Sequence, residues 1–191
     1  LEREVGKEGK YLYPFWDDDY SLGTIYLKHE PIVHAKNICI LKFIVQGSKR
    51  VCVQNILSEG NLNRGYGTVA FRALIKLSIY NQFEEIFGKI QSDPPAYNIR
   101  LRHFFRKNFC EVSDHNFFLK LTHPNEIFLK IKNQQLLEEN RYLTSTIERR
   151  ETELQQVNLE LRELKVKLKE AFERKNKEHI SLSKLFHRFS K

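Results

Sequence analysis

The stretch Leu62-Asn63-Arg64-Gly65-Tyr66-Gly67-Thr68 lies between a run that reads as a strand and one that reads as a helix, and this placement does most to constrain the fold. Upstream, Arg50-Val51-Cys52-Val53-Gln54-Asn55-Ile56-Leu57 is rich in β-branched and apolar residues. Downstream, Val69, Ala70, Phe71, Leu74, Ile75 and Leu77 recur at helical spacing. The turn therefore opens a helix. Backbone N–H groups at such an end have no intrahelical partner, the helix dipole is positive there, and two glycines let a ligand approach without a Cβ in the way. An anion is the expected guest; a tight turn that needs its glycines only for positive φ is the alternative that the residues alone leave open.

The surrounding segments extend the pattern. Gly23 to Lys28 and Asn37 to Gln46 read as strands, with Gln46-Gly47-Ser48-Lys49 as the hairpin turn into the strand that carries the loop. After the helix come a further strand, Glu85 to Gln91, a Pro-Pro break, an amphipathic helix at Arg100 to Phe109, and a strand at Phe117 to Leu121. This order of strand, Gly-rich turn, helix, strand, helix and strand resembles the GNAT superfamily of acyl-CoA-dependent N-acetyltransferases over roughly residues 20 to 122.

The resemblance carries over residue by residue. Leu62, Asn63, Arg64, Gly65, Tyr66 and Gly67 fall in the register of that family's pyrophosphate loop: both glycines match, and Leu62 replaces the usual polar first residue. The later aromatic pair, basic residue and Gly-Phe are answered by Phe104-Phe105-Arg106-Lys107-Asn108-Phe109. Phe105 then stands where many members carry a Tyr general acid, and Asn108 replaces the terminal Gly as a left-handed C-cap. The resemblance implies acetyl transfer from acetyl-CoA to an amine. It implies cofactor contacts from the main chain at Asn55, Ile56 and Leu57, from the loop residues Asn63, Arg64, Gly65, Tyr66, Gly67 and Thr68, and from Asn98 and Phe105. The amine must lose its proton before attack. No acid lies on the loop strand, so Glu30, Glu59 and Asp93 are the candidate bases, and water or Tyr97 the candidate proton donor to the thiolate. The rival expectation is a catalytically weak or inactive GNAT-like module that binds CoA, or nothing.

Composition narrows the remaining classes. The chain has 191 residues, 41% of them hydrophobic, enough for one good core plus an appendage. The longest apolar run, Ile38 to Val45, is broken by Lys42 and falls far short of the roughly 20 residues that span a bilayer. No membrane association is expected. Three widely spaced cysteines, Cys39, Cys52 and Cys110, read as free thiols in a reducing cytoplasm. The seven histidines show no ligand spacing, so no metal is expected. The chain begins at Leu1 and contains no Met, which leaves open a truncated or reduced N-terminal region.

The net charge of +8 raises nucleic acid as a partner, but acidic and basic residues alternate along the C-terminal part as on a solvated helix. Nucleic acid is therefore not the expected partner. A denser cluster, Arg100, Arg102, His103, Arg106 and Lys107, is either a solvated face or a holder of CoA phosphates.

Past His123-Pro124-Asn125 no Gly or Pro occurs through Lys191. Asn133, Asn140, Ile147, Leu154, Leu161, Leu168, Lys175, Leu182 and Phe189 fall every seven residues, with Leu129, Leu136, Leu143, Arg150, Val157, Leu164, Ala171, Glu178 and Leu185 interleaved; the polar layers at Arg150, Lys175 and Glu178 weaken the seam. The heptads predict a coiled-coil helix over 125–191 that forms a parallel homodimer through 129–189, with Asn140 fixing register. The expectation is thus an α/β chain: a GNAT-like mixed sheet flanked by helices over 1–124, followed by a long C-terminal coiled-coil helix.

Overall fold

The computed structural model describes residues 3–5, 11–19, 22–58, 65–91 and 96–189, with side chains described for all of these except 5, 18, 19, 96 and 176–189. The chain divides into two compact units, Leu1–Tyr142 and Leu143–Lys191.

In the first unit, five strands follow one another: β1 (Glu4–Val5), β2 (Tyr11–Asp19), β3 (Leu22–Lys28), β4 (Asn37–Gln46) and β5 (Arg50–Ser58). Each pairs antiparallel with the next. Helix α1 (Tyr66–Tyr80) then crosses over to β6 (Glu85–Lys89), which runs parallel to β5. A parallel pair cannot be joined by a hairpin, so the helical crossover follows from the pairing. Helix α2 (Ala96–Lys107), β7 (Glu111–Val112) and β8 (Asn116–Lys120) complete the unit. Among the described residues the sheet has the order β1-β2-β3-β4-β5-β6-β8-β7 and is antiparallel except at β5 and β6.

One face of this sheet makes the core. Ile25, Leu27, Leu41, Phe43, Val51, Val53, Ile86 and Phe117 alternate inward and pack with Val69, Ala70, Phe71, Leu74 and Ile75 of α1. Helix α1 is buried nearly all round, which requires cover on its outer side as well. That cover comes from α2 and the start of the final helix, α3 (Pro124–Phe189). Ile127 and Ile131 of α3 join the core, and Glu138 receives Arg72 of α1 and Lys107 of α2. On the opposite face Tyr26, Ile40, Ile44, Cys52, Phe87 and Phe118 are only half-buried, and Lys42, Lys89 and Lys120 are exposed.

The expected architecture, a mixed sheet flanked by helices and followed by a long C-terminal helix, is the one observed. Three strands go beyond the expectation: β1, β7 and the nine-residue β2. In addition, the left-handed residue that ends α2 is Phe109 (φ 68°), not Asn108. Asn108 is fully buried and uses its side chain instead, Nδ2 donating to the Phe104 carbonyl at 2.8 Å. Asn108 thereby satisfies one of the carbonyls that a helix end leaves open, and the turn falls one residue later.

In the second unit, α3 continues as helix with its apolar heptad positions on the surface. Leu143, Ile147, Leu154, Val157, Leu161, Leu164 and Leu168 are all exposed in the single chain. Heptad positions from residue 176 onward lie outside the described side chains.

Candidate functional site

Pairing between β5 and β6 runs from Arg50↔Glu85 to Val53↔Gly88 and stops there, although β5 continues to Ser58. On its other edge β5 stays paired with β4 as far as Cys39↔Ser58, but across an irregularity: Phe43 faces Val53 and Lys42 faces Asn55, so Gln54 is an extra residue. Such a bulge bends its strand and increases the local twist. Strand β6 itself ends at Lys89, so beyond Val53 the main chain of β5 over Asn55, Ile56 and Leu57 keeps an edge with no sheet partner in the described pairing. An unpaired edge of this kind accepts an extended ligand through backbone hydrogen bonds.

The N-terminus of α1 lies close to this part of β5, where a Cβ on Gly67 would come within 3.7 Å of Ile56. Gly65 is left-handed (φ 81°, ψ 3°), a conformation that side-chain-bearing residues enter at a cost. Among the described residues no side chain caps the helix, and its first turn holds no acidic residue. The first amide bonded within the helix is that of Val69, to the Gly65 carbonyl at 3.1 Å. The amides of Tyr66, Gly67 and Thr68 thus lie in the first turn, where a helix offers no acceptor and its dipole favours an anion. Gly67 is closely packed: a Cβ there would lie 3.3 Å from the Phe104 ring and 3.7 Å from Ile56. The absent side chain lets the turn sit between β5 and α2.

The sequence-derived site residues are distributed unevenly. Asn55, Ile56 and Leu57 line the parting strand, and Gly65, Tyr66, Gly67 and Thr68 form the helix start. Glu59, Asn63, Arg64 and Asp93 lie outside the described residues. Glu30 is exposed in the β3–β4 loop, which Lys28 anchors by donating from Nζ to the carbonyls of Val33 and of Ala35 (2.9 Å to the latter). Tyr97 and Asn98 occupy the first turn of α2, Tyr97 exposed with the Arg100 guanidinium 5.6 Å from its ring centre. Phe105 is in the core: it stacks on Phe117 with ring centres 3.5 Å apart and meets Phe71 and Phe104 edge-on.

One neighbour of the site was not anticipated. His29 sets its ring edge-on to buried Tyr66, Nε2 lying 3.5 Å from the Tyr66 hydroxyl. A lone His at a strand end carries no spacing signal, so only the β3–α1 contact reveals it. Of the basic cluster on α2, Arg102 is tied to Asp114 and Lys107 to Glu138.

All three cysteines are free. Burial pushes the Cys39 thiol up to about 12, partly offset by a hydrogen bond with the Ile40 backbone, and burial raises Cys110 further. Cys52 is half-exposed and also raised by desolvation, against the lowering effects of Gln54, Arg50 and Lys89. It lines a groove of about 800 Å³ on the sheet face opposite α1, over β5, β6 and β8. Among the described residues no group of three or more His, Cys, Asp or Glu side chains is placed to hold a metal, and no helix is long and apolar enough to cross a membrane.

No family model and no curated protein matches the sequence. Solved structures do match the fold. A variant of the cAMP-binding acyltransferase from Mycobacterium smegmatis superposes with a TM-score of 0.50 at 10% identity, over 67% of this chain and 51% of that one. The chain thus spans about half the length of that acyltransferase. The GNAT domain of S. lividans PAT gives 0.49 at 8% identity over 63% and 96%, and a GNAT family acetyltransferase from Elizabethkingia anophelis with acetyl-CoA bound gives 0.39 at 11% identity over 58% and 97%. The fold is GNAT-like; at these identities the likeness extends to the fold alone.

Proposed function

We propose that this chain is an N-acetyltransferase that moves an acetyl group from acetyl-CoA to an amine. The observation that carries the reading is the departure of β5 from β6 beyond Val53↔Gly88, beside an uncapped helix start at Gly65. The main chain of Asn55 to Leu57 would pair with the pantetheine arm, and the amides of Arg64 to Thr68, with Asn63, would hold the pyrophosphate. Asn98, in the first turn of α2, would add a cofactor contact, and Phe105 would serve by packing. The thioester supplies an activated acyl group. The protein's tasks are to orient that group, exclude water from it and receive the amine unprotonated. Glu30, Glu59 and Asp93 remain the proposed bases, acting through water, and Tyr97 the proposed proton donor.

A second reading, a CoA-binding module without turnover, is favoured by one feature: Phe105 has no hydroxyl to offer a leaving thiolate. Incubation with acetyl-CoA and an amine panel, read by mass spectrometry beside a direct CoA-binding measurement, separates the two. Acetylated product supports the enzyme, binding without product supports the module, and absence of both contradicts each.

The same proposal includes a parallel homodimer through 129–189. The exposed apolar positions from Leu143 to Leu168 support it, since a continuous apolar seam on a long helix is stable when a partner covers it. The free thiols fit a reducing cytoplasm.

A further inference from the structure

The groove over β5, β6 and β8 has a chemical character that says which amines it suits. Its lining includes Val53, Gln54 and Gly88, the residues at which the two parallel strands part, so it adjoins the unpaired edge of β5 described above. Its floor is aromatic: Phe87 and Phe118 are paired neighbours on β6 and β8. Its charge is one-sided where the strands part. Among the described residues the only carboxylate in the lining, Glu85, sits at the far end, held by Arg50 at 2.7 Å, while the Arg50 guanidinium lies over Phe87. Lys89 stands beside Gly88, where the pairing ends, and makes no ion pair with a described residue; Lys120 is likewise unpaired. A volume of this size suits a small molecule.

An amine entering here meets an ammonium group and, among the described residues of the lining, no free carboxylate. A polycation is repelled, whereas a molecule that brings its own anion is held, and its amine is disfavoured in the charged form that cannot attack. We infer that the acceptor is a small amine carrying a carboxylate and an apolar body, as an apolar α-amino acid does, with the carboxylate on Lys89 and the body over Phe87 and Phe118. This rests on the acetyltransferase reading. In the step it serves, the amine nitrogen bonds to the acetyl carbon, the carbon–sulfur bond breaks, and the proton lost by nitrogen passes through water to the departing CoA thiolate.

Two arms of one experiment keep the two readings apart. In the first, full-length protein with acetyl-CoA is offered phenylalanine, phenylalaninamide or spermidine, and the acetylated product is measured. In the second, which needs no turnover, the same compounds are tested with CoA present for protection of Cys52 from iodoacetamide, with Cys39 and Cys110 buried and silent. Phenylalanine should be the best of the three in both arms, by about tenfold or more over its amide, the scale of one charge-assisted hydrogen bond. Lys89→Ala should erase that margin and Lys89→Glu should reverse the preference toward spermidine. Selective protection without product would overturn acetyl transfer but keep the carboxylate-binding groove. Equal protection by the amide or spermidine, no protection by phenylalanine, or a margin unchanged in Lys89→Ala would overturn the inference.

Discussion

The Arg72 guanidinium meets the Glu138 carboxylate at 3.1 Å with only 1% of the Arg72 side chain exposed, and Glu138 also accepts from Lys107 at 2.8 Å. One carboxylate of α3 thus neutralises a buried cation of α1 and ties in α2. Arg72 Nε and Nη1 are buried with no partner among the described residues, so the guanidinium depends heavily on Glu138. Glu138→Ala should cost about 3–5 kcal/mol in urea unfolding, because it leaves a buried charge uncompensated. Burial pushes the Glu138 carboxyl up, but Lys107 and Arg72 outweigh it and hold it below its usual value. A carboxyl lowered in the folded state contributes stability above its unfolded pKa, about 4.3, and that contribution is lost as pH falls through the folded value. Glu138→Gln should therefore lose stability at neutral pH and show a flatter acid limb than wild type.

Phe105 bears on three rings at once, stacked on Phe117 and edge-on to Phe71 and Phe104. Phe105→Ala should lose about 3–5 kcal/mol of stability. Phe105→Tyr keeps the stack and should lose no more than about 1–3 kcal/mol, the cost of a buried hydroxyl without a partner. CoA affinity, measured by titration at a temperature where both variants remain folded, should be unchanged in the Tyr variant. A tenfold loss of affinity there would show that Phe105 touches the cofactor.

Gln82 holds φ at 60° in the turn that follows α1, on the surface. Left-handed backbone costs an L residue roughly 1–2 kcal/mol, and Gly escapes most of it at some entropic cost. Gln82→Gly should gain about 1 kcal/mol, or about 2–4 °C in Tm. Thermal unfolding checks it, and no change or a loss would mean that the turn is not strained.

How far these features can be read from sequence depends on where their information lies. The strand–turn–helix at 50–77 is local: β-branched residues, two glycines and a helical period mark it without reference to the rest of the chain. The same holds for α3, whose heptads repeat. Strand β2 was not legible, because Pro14 and the run Asp17-Asp18-Asp19 argue against a strand and only pairing with β3 makes it one. The parting of β5 from β6 is a property of two strands distant in sequence, and the bulge at Gln54 has no Gly to announce it. The end of α2 fell one residue away from expectation, since a buried Asn108 satisfies the helix with its side chain and leaves the left-handed turn to Phe109.

Assembly divides along the two compact units. Truncation after Tyr142 keeps Ile127, Ile131 and Glu138 with the sheet and should give a folded monomer. The full chain should be a dimer by light scattering, and Leu154→Lys with Leu161→Lys should make it monomeric by charging two successive a layers of the heptad seam. A monomeric full chain, or a dimeric truncation, contradicts the seam.

The central claim is that a CoA thioester binds where β5 parts from β6 at the start of α1, and calorimetric titration of acetyl-CoA into wild type and Gly67→Val tests it most directly. A Cβ at residue 67 meets Phe104 at 3.3 Å and Ile56 at 3.7 Å, so the larger valine must shift the helix start, whose amides would hold the pyrophosphate, relative to β5 and α2. The account predicts saturable binding to wild type and its loss in Gly67→Val, with the two far-UV CD spectra nearly superimposable. Absence of binding to wild type, or undiminished binding to the variant, would contradict it.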